Sequence, residues 1–487
     1  MSLTTIAETF VQLGEFSLAP FGQILDDLIK QVLTEQGKAK YRQGTKLVPQ
    51  LLVWLVLALT LRRDLNCQKV LNWLVSGLRW IRHLLPAQAK LVQEGTISHA
   101  RVALGENVFG LLFARLVCSF QKLEPDFHGW ISVIFDGSTG TMPDTEANTA
   151  TFHKPKSGRG SAAFPQLRMM ALMALPVRLL LDIAYAPYCG KGTGERALAR
   201  EILDKLDRSG LLFLLDAGLY ALDMLWDINQ KQHAFIVKAS RQVKFKSAKV
   251  LGDGSFLARL THKIPDPDAP STESGRQHWK QVHLDVRVIR VQIPGFRPVT
   301  LVTNLLDPVI SAREIAVHYH QRWDIEVAYD EIKTHQCATL RGQSPTTFRS
   351  KRPDLVKQEL YALLIMYNAV RLLIYQAAVR QGQDPRFISF LDALQHIIDA
   401  APIMTAETGE QRQDQFDYLL ALIADCAIDR PRRHRVNPRV VKVKMSKFKR
   451  KNKKHKTENR DIERELQILA DCDYISMESD YKLSRQT

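Results

Sequence analysis

The sequence predicts a multidomain α/β protein with a mixed sheet, and three patterns lead to this prediction. Residues 1–125 carry apolar side chains at three- and four-residue spacing, which is typical of packed helices. From residue 131 onward, short β-rich runs alternate with helical stretches, as expected of a mixed sheet covered by helices. Residues 430–460 hold fifteen Lys and Arg against one acid, which indicates a basic low-complexity tail.

The composition is that of a large globular protein with an anionic partner. At 487 residues the chain is longer than the roughly 250–300 residues of a single core, so several domains are expected. Its 45% hydrophobic and 24% charged residues are ordinary for a folded protein and exclude wholesale disorder. The net charge of +16 favours nucleic acid over a membrane surface as the partner.

No feature of the sequence predicts export or membrane insertion. The most apolar run considered, residues 47–61, is interrupted by Pro49 and Gln50 and is shorter than the roughly 20 residues of a spanning helix. We therefore expect a buried core helix there. Six cysteines without a CxxC pair argue against a zinc ribbon or a disulfide framework and fit a reducing cytoplasm.

The elements follow one another in a definite order. Helices are predicted over 21–33, 48–61 and 70–84, then strands over 131–136, 167–175 and 177–185, a helix over 195–206 and a strand over 211–215. A β-rich insertion follows, with strands expected at 235–238, 243–246 and 283–293, while a last strand at 298–305 returns to the main sheet. Residues 311–373 and 388–423 are predicted helical.

Two aspartates occupy similar positions in this pattern. Asp136 and Asp216 each follow an apolar run and precede a glycine turn. Side chains at such strand ends reach into the crevice where ligands bind in α/β sheets. An aspartate beside a glycine can equally be a turn former or a helix cap, but two on neighbouring strands favour a shared site.

Further candidates lie in the segment from Tyr319 to Lys333. On a regular α-helix, Tyr319, Arg322, Glu326 and Lys333 share a stripe about 60° wide. Asp330 lies on the same stripe, so geometry alone does not choose between it and Glu326. An amphipathic helix with a solvated Arg322–Glu326 pair is the alternative to a functional site.

Three converging carboxylates suit a two-metal site. Two Mg²⁺ ions about 3.5–4 Å apart activate a nucleophile and stabilise the leaving oxygen of a phosphodiester. Mg²⁺ takes oxygen ligands and keeps several waters, so neither His nor Cys is required. Arg322 and Lys333 would then hold backbone phosphates, and Tyr319 could orient one.

The spacing Tyr-x2-Arg-x3-Glu-x6-Lys resembles the signature of the insertion-sequence-four family of DDE transposases. Four further segments also resemble the family: Asp136-Gly-Ser-x4-Pro-Asp-Thr-x2-Asn148, Phe164-Pro-Gln, Arg349-Ser-Lys-Arg-Pro-Asp-Leu-Val-Lys-Gln-Glu359-Leu and Asn437-Pro-Arg-Val-Val-Lys442. The sequence departs from the family at residues 217–220, where a basic residue and two aromatics are more usual, although Asp216 is retained.

This resemblance implies an RNase H-like mixed sheet as the catalytic core, with an inserted β-rich subdomain, a helical N-terminal domain and a helical and basic C-terminal region. It implies that Asp136, Asp216 and Glu326 bind two Mg²⁺ ions, for which Mn²⁺ can substitute. The expected domains are 1–125 (helical, binding the DNA ends), 126–234 (core, first part), 235–297 (β-rich insertion), 298–375 (core, second part), 376–429 (C-terminal helices) and 430–487 (basic tail and C-terminal segment).

The implied activity is metal-dependent cleavage of double-stranded DNA at the terminal inverted repeats of an insertion sequence, followed by strand transfer into target DNA. A homodimer on paired ends is the expected working unit, in the cytoplasm at the bacterial nucleoid, and a hairpin intermediate stays open. Two rival hypotheses are a non-catalytic DNA-binding protein derived from a transposase and an RNase H-like nuclease without strand transfer. The presence of all three carboxylates favours the enzyme.

Other basic residues are expected to contact DNA. They are Lys154, Lys156 and Arg159 in a loop after the first aspartate, and Arg439, Lys442, Lys449, Arg450 and Lys451 in the tail. In both segments the alternative is a charged stretch that is merely solvated. The tail carries most of the net charge and predicts a sequence-independent grip on DNA that weakens with salt. Trp279 in the insertion either meets an unpaired base or has a packing or edge-strand role.

Overall fold

The described residues of the computed structural model cover most of the chain. They are 18–42, 45, 47–80, 92–119, 123–157, 160–240, 242–265, 278–336, 338–339, 342–343, 347–428, 435–436, 441–442, 449–450 and 458–470. Arg159, Arg439 and Lys451 lie outside these ranges. The backbone pairs Val441↔Arg450 and Lys442↔Lys449 are described, but the side chains of these residues are not.

Helices form the N-terminal region, as expected. They are α1 (Gly22–Glu35), α2 (Pro49–Leu61), α3 (Cys67–Leu74), α4 (Ser76–Trp80), α5 (Glu94–Leu104) and α6 (Asn107–Cys118). Every residue of α2 from 51 to 61 is buried, which confirms the prediction of a core helix. The single helix predicted over 70–84 is wrong, because the chain ends one helix at Leu74 and starts another at Ser76.

A mixed sheet follows, and its first five strands are β1 (Ile131–Thr141), β2 (Gln166–Ala174), β3 (Leu179–Pro187), β4 (Leu211–Leu215) and β5 (Ala234–Lys238). Their spatial order is β3-β2-β1-β4-β5. β1 and β2 pair antiparallel, as do β2 and β3, whereas β1 and β4 pair parallel, as do β4 and β5. Helices α7 (Glu146–Phe152), α8 (Glu195–Lys205) and α9 (Leu222–Gln230) connect the strands.

The inserted strands extend this same sheet. They are β6 (Lys249–Val250), β7 (Phe256–Pro265), β8 (Trp279–Gln292) and β9 (Val299–Thr303). β9 pairs with β5, β8 with β9, and β7 with β8, so the sheet continues across the boundary that was expected at residue 235. A boundary between residues 234 and 235 is wrong, because it would divide strand β5. This strand begins at Ala234, and its residues 234–237 pair with β4.

Two predictions within the insertion are also corrected. Residues 243–246 form no strand, and the strand β7 was not predicted. β7 alternates exposed and partly buried residues beyond Ala258, as a polar two-stranded ribbon does, so it lacks the apolar signal that marks a core strand. The returning strand expected at 298–305 is confirmed as β9.

The remaining helices cover one side of the sheet and join it to the N-terminal region. They are α10 (Ala312–His320), α11 (Asp324–Asp330), α12 (Pro353–Arg380), α13 (Phe390–Ala406), α14 (Gly409–Asp425) and α15 (Ile462–Glu465). By length and composition α12 could cross a membrane, but 78% of its most apolar window is buried inside the protein. It is therefore a buried core helix, as α2 is.

The carboxylate of Glu359 joins the N-terminal helices to the core. It accepts hydrogen bonds from the backbone N–H groups of Arg349 and Ser350 and forms an ion pair with Arg63 just after α2. Arg349 in turn donates to the carbonyl of Leu59 at 2.9 Å. The motif from Arg349 to Glu359 is thus a structural joint, which explains why charged residues recur there.

The chain returns to the sheet after the basic segment. Strand β10 (Gln467–Ile468) pairs antiparallel with β8. Arg313 at the start of α10 donates to the carbonyls of Leu466 and Glu463 at 2.5 and 2.9 Å. Ile462 and Leu466 are buried against the core. The predicted tail is therefore anchored at its C-terminal side.

A close helix contact yields a stability prediction. A Cβ atom on Gly77 of α4 would lie 2.0 Å from the carbonyl oxygen of Pro402 in α13. Gly77→Ala should therefore lower the free energy of unfolding by about 1–3 kcal/mol, because two helix backbones must separate. The measurement is the midpoint of thermal unfolding. Gly95→Ala in α5 is the matched control, since nothing lies within 4 Å of its added Cβ, and it should not lower the midpoint.

Candidate active site

The strand register brings Asp136 and Asp216 to the same level of the sheet. The parallel ladder between β1 and β4 runs from Ile131↔Leu211 to Ile134↔Leu214. Asp136 and Asp216 each lie two residues beyond the last pair, on strands that are about 4.8 Å apart in a sheet. The register therefore agrees with the expectation that the two aspartates lie on neighbouring strands.

Asp136 does not end its strand, however, and that prediction is wrong. β1 continues to Thr141 because its other edge stays paired with β2, with Asp136 opposite Ala171. Only the parallel pairing to β4 stops before Asp136. At Asp136, therefore, β1 is paired with β2 on one side and is no longer paired with β4 on the other.

Asp216 follows β4 directly and caps a short 3₁₀ turn, Ala217–Leu219. Its Oδ1 accepts hydrogen bonds from the N–H groups of Gly218 and Leu219 at 2.9 and 3.1 Å. The capping role considered from the sequence is therefore present. Both cap bonds fall on one carboxylate oxygen, so Oδ2 is not used by the cap.

The signature segment is not one regular α-helix, and this corrects the stripe expected at 100° per residue. After α10 the chain forms a 3₁₀ turn (Gln321–Trp323), then α11, then a π-helical turn (Glu331–Gln336). Turns with three and with more than four residues per turn shift side chains around the axis, so a fixed angle no longer describes them.

Hydrogen bonds nevertheless fasten this segment to both strands. The hydroxyl of Tyr319 donates to the carbonyl of Leu215 at 2.9 Å, beside Asp216. Tyr329 donates to the carbonyl of Asp136 at 2.7 Å, and Lys333 Nζ donates to Ser138 Oγ at 2.5 Å. Tyr319 and Lys333 therefore lie at the expected edge, where they contact protein groups, and Tyr329 is a positioning residue that the sequence did not reveal.

Arg322 and Glu326 face each other across one helical turn. Arg322 Nη2 lies 4.0 Å from Glu326 Oε1, and the side chains are 11% and 50% exposed. Burial raises the pKa of Glu326, while the positive charge of Arg322 lowers it. Asp330, the alternative on the expected stripe, instead lies 3.9 Å from His335 Nε2.

The charges of the other two carboxylates act on Asp136. Its pKa is raised to about 6, chiefly by burial, and the negative charges of Glu326 and Asp216 contribute to this rise while the positive charge of Arg322 opposes it. Such a cluster of like charges on oxygen ligands is the environment that a divalent cation stabilises. By ligand type alone, the oxygens of Asp136, Asp216 and Glu326 suit a divalent cation such as Mg²⁺ or Mn²⁺.

The three carboxylates do not converge on one metal position in this structure. Across the described ranges, no three His, Cys, Asp or Glu side chains lie close enough together to hold a metal ion. A cavity of about 330 Å³ lies elsewhere, beside Asp126, His318 and Arg386, and includes none of the three. The strand register and the charges around Asp136, rather than a cavity, mark these residues as the candidate site.

Two further acids of the signature segment are buried in ion pairs. Asp324 accepts from Arg178 at 3.1 Å, and Glu331 pairs with Arg178 and with Arg371 of α12. The hydroxyl of Tyr367 donates to Glu331 Oε2 at 3.1 Å. These acids hold the segment in place, and Arg371, the one charged residue between positions 360 and 379 of α12, is the sequence signal that could have revealed them.

The other expected DNA contacts are only partly described. Lys154 is paired with Asp144 at 2.6 Å, whereas Lys156 is exposed on a short hairpin. Trp279 is 58% exposed where β8 begins, so it does not pack within the sheet. That these residues contact DNA remains a prediction.

Comparison with known protein families identifies the class. Residues 17–114 match the family described as insertion element 4 transposase N-terminal, and residues 132–369 match the transposase DDE domain. The chain therefore belongs to the insertion-element-four family of DDE transposases. Membership implies an enzyme that binds DNA and uses divalent metal ions.

The chain is similar to two Escherichia coli proteins. The chain is 26% identical over 441 residues to the transposase InsG for insertion sequence element IS4 of Escherichia coli, covering 88% of this chain and 93% of InsG. It is 28% identical over 156 residues to the putative transposase InsZ of the same organism, covering 30% and 48% of the two chains. A solved structure of the piggyBac transposase synaptic complex with hairpin DNA aligns at a TM-score of 0.43 and 7% identity, over 83% of this chain and 84% of that one.

The raised pKa of Asp136 predicts that a substitution removing its charge stabilises the protein, by an amount that depends on pH. Because its pKa rises from 3.8 to about 6, the ionised carboxylate destabilises the fold above about pH 6, and this cost disappears as the pH falls toward 3.8. In EDTA, Asp136→Asn should raise the midpoint of thermal unfolding at pH 7.5, by an amount that shrinks at pH 5.

Asp144→Asn is the control for that measurement. A hydrogen bond from Lys154 lowers the pKa of exposed Asp144, so its neutralisation should give no gain at pH 7.5. A gain in Asp136→Asn that grew on acidification would contradict the assignment of a crowded, buried carboxylate.

Proposed function

We propose that this transposase cuts both ends of an insertion sequence and joins them to target DNA, using Asp136, Asp216 and Glu326 as its catalytic carboxylates. One observation carries the proposal: the β1–β4 register puts Asp136 and Asp216 level, and the charges of Asp216 and Glu326 both act on Asp136. The mixed sheet with strand order β3-β2-β1-β4-β5 supports the RNase H-like core that the resemblance implies.

The carboxylates would hold two Mg²⁺ or Mn²⁺ ions at the open edge of β1. When bound, such ions lower the pKa of a water or 3′-hydroxyl and stabilise the leaving oxygen of the phosphodiester. Asp216 would offer Oδ2, because its Oδ1 is used by the cap. Glu326 is half exposed and would complete the set from the signature segment.

Basic residues at the same edge would position the DNA strand. Arg322 is nearly buried next to Glu326, so its charge is held at a fixed place where a phosphate can approach. Lys333 is presented beside Ser138, two residues after Asp136. Tyr319 has its hydrogen committed to Leu215, so its part is to hold the segment beside Asp216.

The partners we propose are the terminal inverted repeats and the target DNA, both double-stranded. Joining two ends calls for two active sites, so a homodimer on paired ends is the proposed working unit. Lys156 and the basic residues of 430–460 would add salt-dependent affinity that does not depend on sequence. Cut-and-paste transposition, with or without a hairpin step, is the proposed overall reaction.

Removing any one carboxylate should abolish chemistry without abolishing DNA binding. Asp136→Ala, Asp216→Ala and Glu326→Ala should each lower the cleavage of end DNA in Mg²⁺ by at least about 10³-fold, because removing a key catalytic group typically costs that much. The measurement uses the repeats that flank the transposase's own gene, with gel detection of cut and joined products and a parallel binding titration.

Asp330→Ala is the matched control, since it removes an acid from the same segment that pairs with His335. It should cleave as the wild type does. Normal cleavage by any of the three alanine variants would remove that residue from the site, and cut products without joined products from the wild type would favour a nuclease.

The two cations should act through DNA positioning. Arg322→Ala and Lys333→Ala should each weaken cleavage by about 10–100-fold while leaving the metal concentration for half-maximal activity within about twofold of the wild type. Single-turnover cleavage over a Mg²⁺ series measures both quantities. Unchanged cleavage in both variants would contradict the proposed phosphate contacts.

A further inference from the structure

We propose that Arg196, which no motif marked, is a positioning residue for the Asp216 carboxylate. It lies in the first turn of α8 and reaches across to the turn that follows β4. Its Nε donates to the carbonyl of Gly218 at 2.7 Å, and its Nη2 donates to the carbonyl of Tyr220 at 3.4 Å. One guanidinium thus holds two carbonyls, those of Gly218 and Tyr220, in the segment that follows Asp216.

The hydrogen bonds form a short chain from Arg196 to the carboxylate. Gly218 is held through its carbonyl by Arg196 and through its N–H by Asp216 Oδ1. The N–H of Leu219 also donates to Oδ1, at 3.1 Å. A change in the position of Gly218 therefore changes the orientation of the carboxylate, because both are parts of one bonded turn.

The preceding residue of α8 contacts the other aspartate strand. A Cβ atom on Gly137, the residue after Asp136, would lie 2.7 Å from Glu195 Cδ. The first turn of α8 thus contacts the residue after Asp136 and the turn after Asp216. We call Glu195 and Arg196 together the α8 brace.

The brace is attached to a rigid element. Leu198, Ala199, Ile202 and Leu203 of α8 are buried in the core. Because a packed helix rather than a loop carries Arg196, the position of the Asp216 turn is tied to the sheet. The spacing of Asp136 and Asp216 is accordingly set by α8 as well as by the strand register.

Arg200 offers a matched control on the same helix. It lies one turn after Arg196 and pairs with Asp223 and Asp227 of α9. Arg200→Ala removes an arginine and its ion pairs from α8 but touches neither aspartate turn. It therefore separates a general loss of packing around α8 from a specific loss of the Asp216 turn.

Hydrogen exchange tests the inference without metal or DNA. In full-length protein, Arg196→Ala should speed amide exchange in the peptide that covers residues 216–221, because the carbonyl anchors of Gly218 and Tyr220 are lost. Arg200→Ala should leave that peptide unchanged. Arg196→Lys keeps the charge and one donor, so its exchange should fall between wild type and Arg196→Ala.

Metal affinity tests the consequence for the carboxylate, which rests on the proposed function. Titration with Mn²⁺, followed by electron paramagnetic resonance, should show about 10–100-fold weaker binding in Arg196→Ala, as when a residue behind a metal ligand is removed. Arg200→Ala should bind as the wild type does. Unchanged exchange and unchanged Mn²⁺ affinity in Arg196→Ala, or equal changes in Arg200→Ala, would overturn the inference.

The two measurements also separate this inference from the proposed function. If Asp136→Ala bound Mn²⁺ as tightly as the wild type, the proposed role of Asp136 as a metal ligand would be contradicted. The exchange of residues 216–221 would still decide whether Arg196 holds the Asp216 turn.

Discussion

The buried charge cluster around Glu331 determines how the signature segment faces the sheet. Glu331 is enclosed by Arg371 of α12 and by Arg178 of the turn between β2 and β3, and Arg178 also pairs with Asp324. Buried charges are tolerated only when each is paired, so these groups fix one arrangement of α11 relative to α12. With Asp324 and Glu331 turned inward, Glu326 between them is left on the outward side.

The second constraint is the register of the two parallel strands. The pairing between β1 and β4 stops at Ile134↔Leu214, and each carboxylate follows two residues later on its strand. Tyr319 and Tyr329 then donate to the backbone beside each aspartate, at Leu215 and at Asp136 itself. The signature segment is therefore located by main-chain contacts, which do not depend on the ionisation of the carboxylates they adjoin.

Much of this arrangement could be predicted from the sequence, because it follows from local patterns. The apolar run before Asp216 and the glycine after it were sufficient to predict a strand end. The sequence could not show that β1 continues past Asp136, since that depends on pairing with β2, which is distant in sequence. The broken geometry of the signature segment also depends on tertiary contacts, because it accompanies the pairing of Glu331 with Arg371. The inserted strands join the main sheet through the pairing of β9 with β5, which is also distant in sequence. The local pattern could therefore predict the strands but not the sheet to which they belong.

The docking of β10 against β8 has a consequence for how the protein is made. Arg313 bonds to Leu466, a residue 153 positions later, and strand β10 can be added only after the basic segment has been synthesised. Domains begin to fold from the N-terminus during translation, and contacts between distant residues form slowly. A polypeptide interrupted before Ile462 would carry all three carboxylates but would leave Val291 and Gln292 of β8 without their partners in β10. The unpaired backbone groups of those two residues could then pair with other chains, so synthesis through residue 468 removes one route to aggregation.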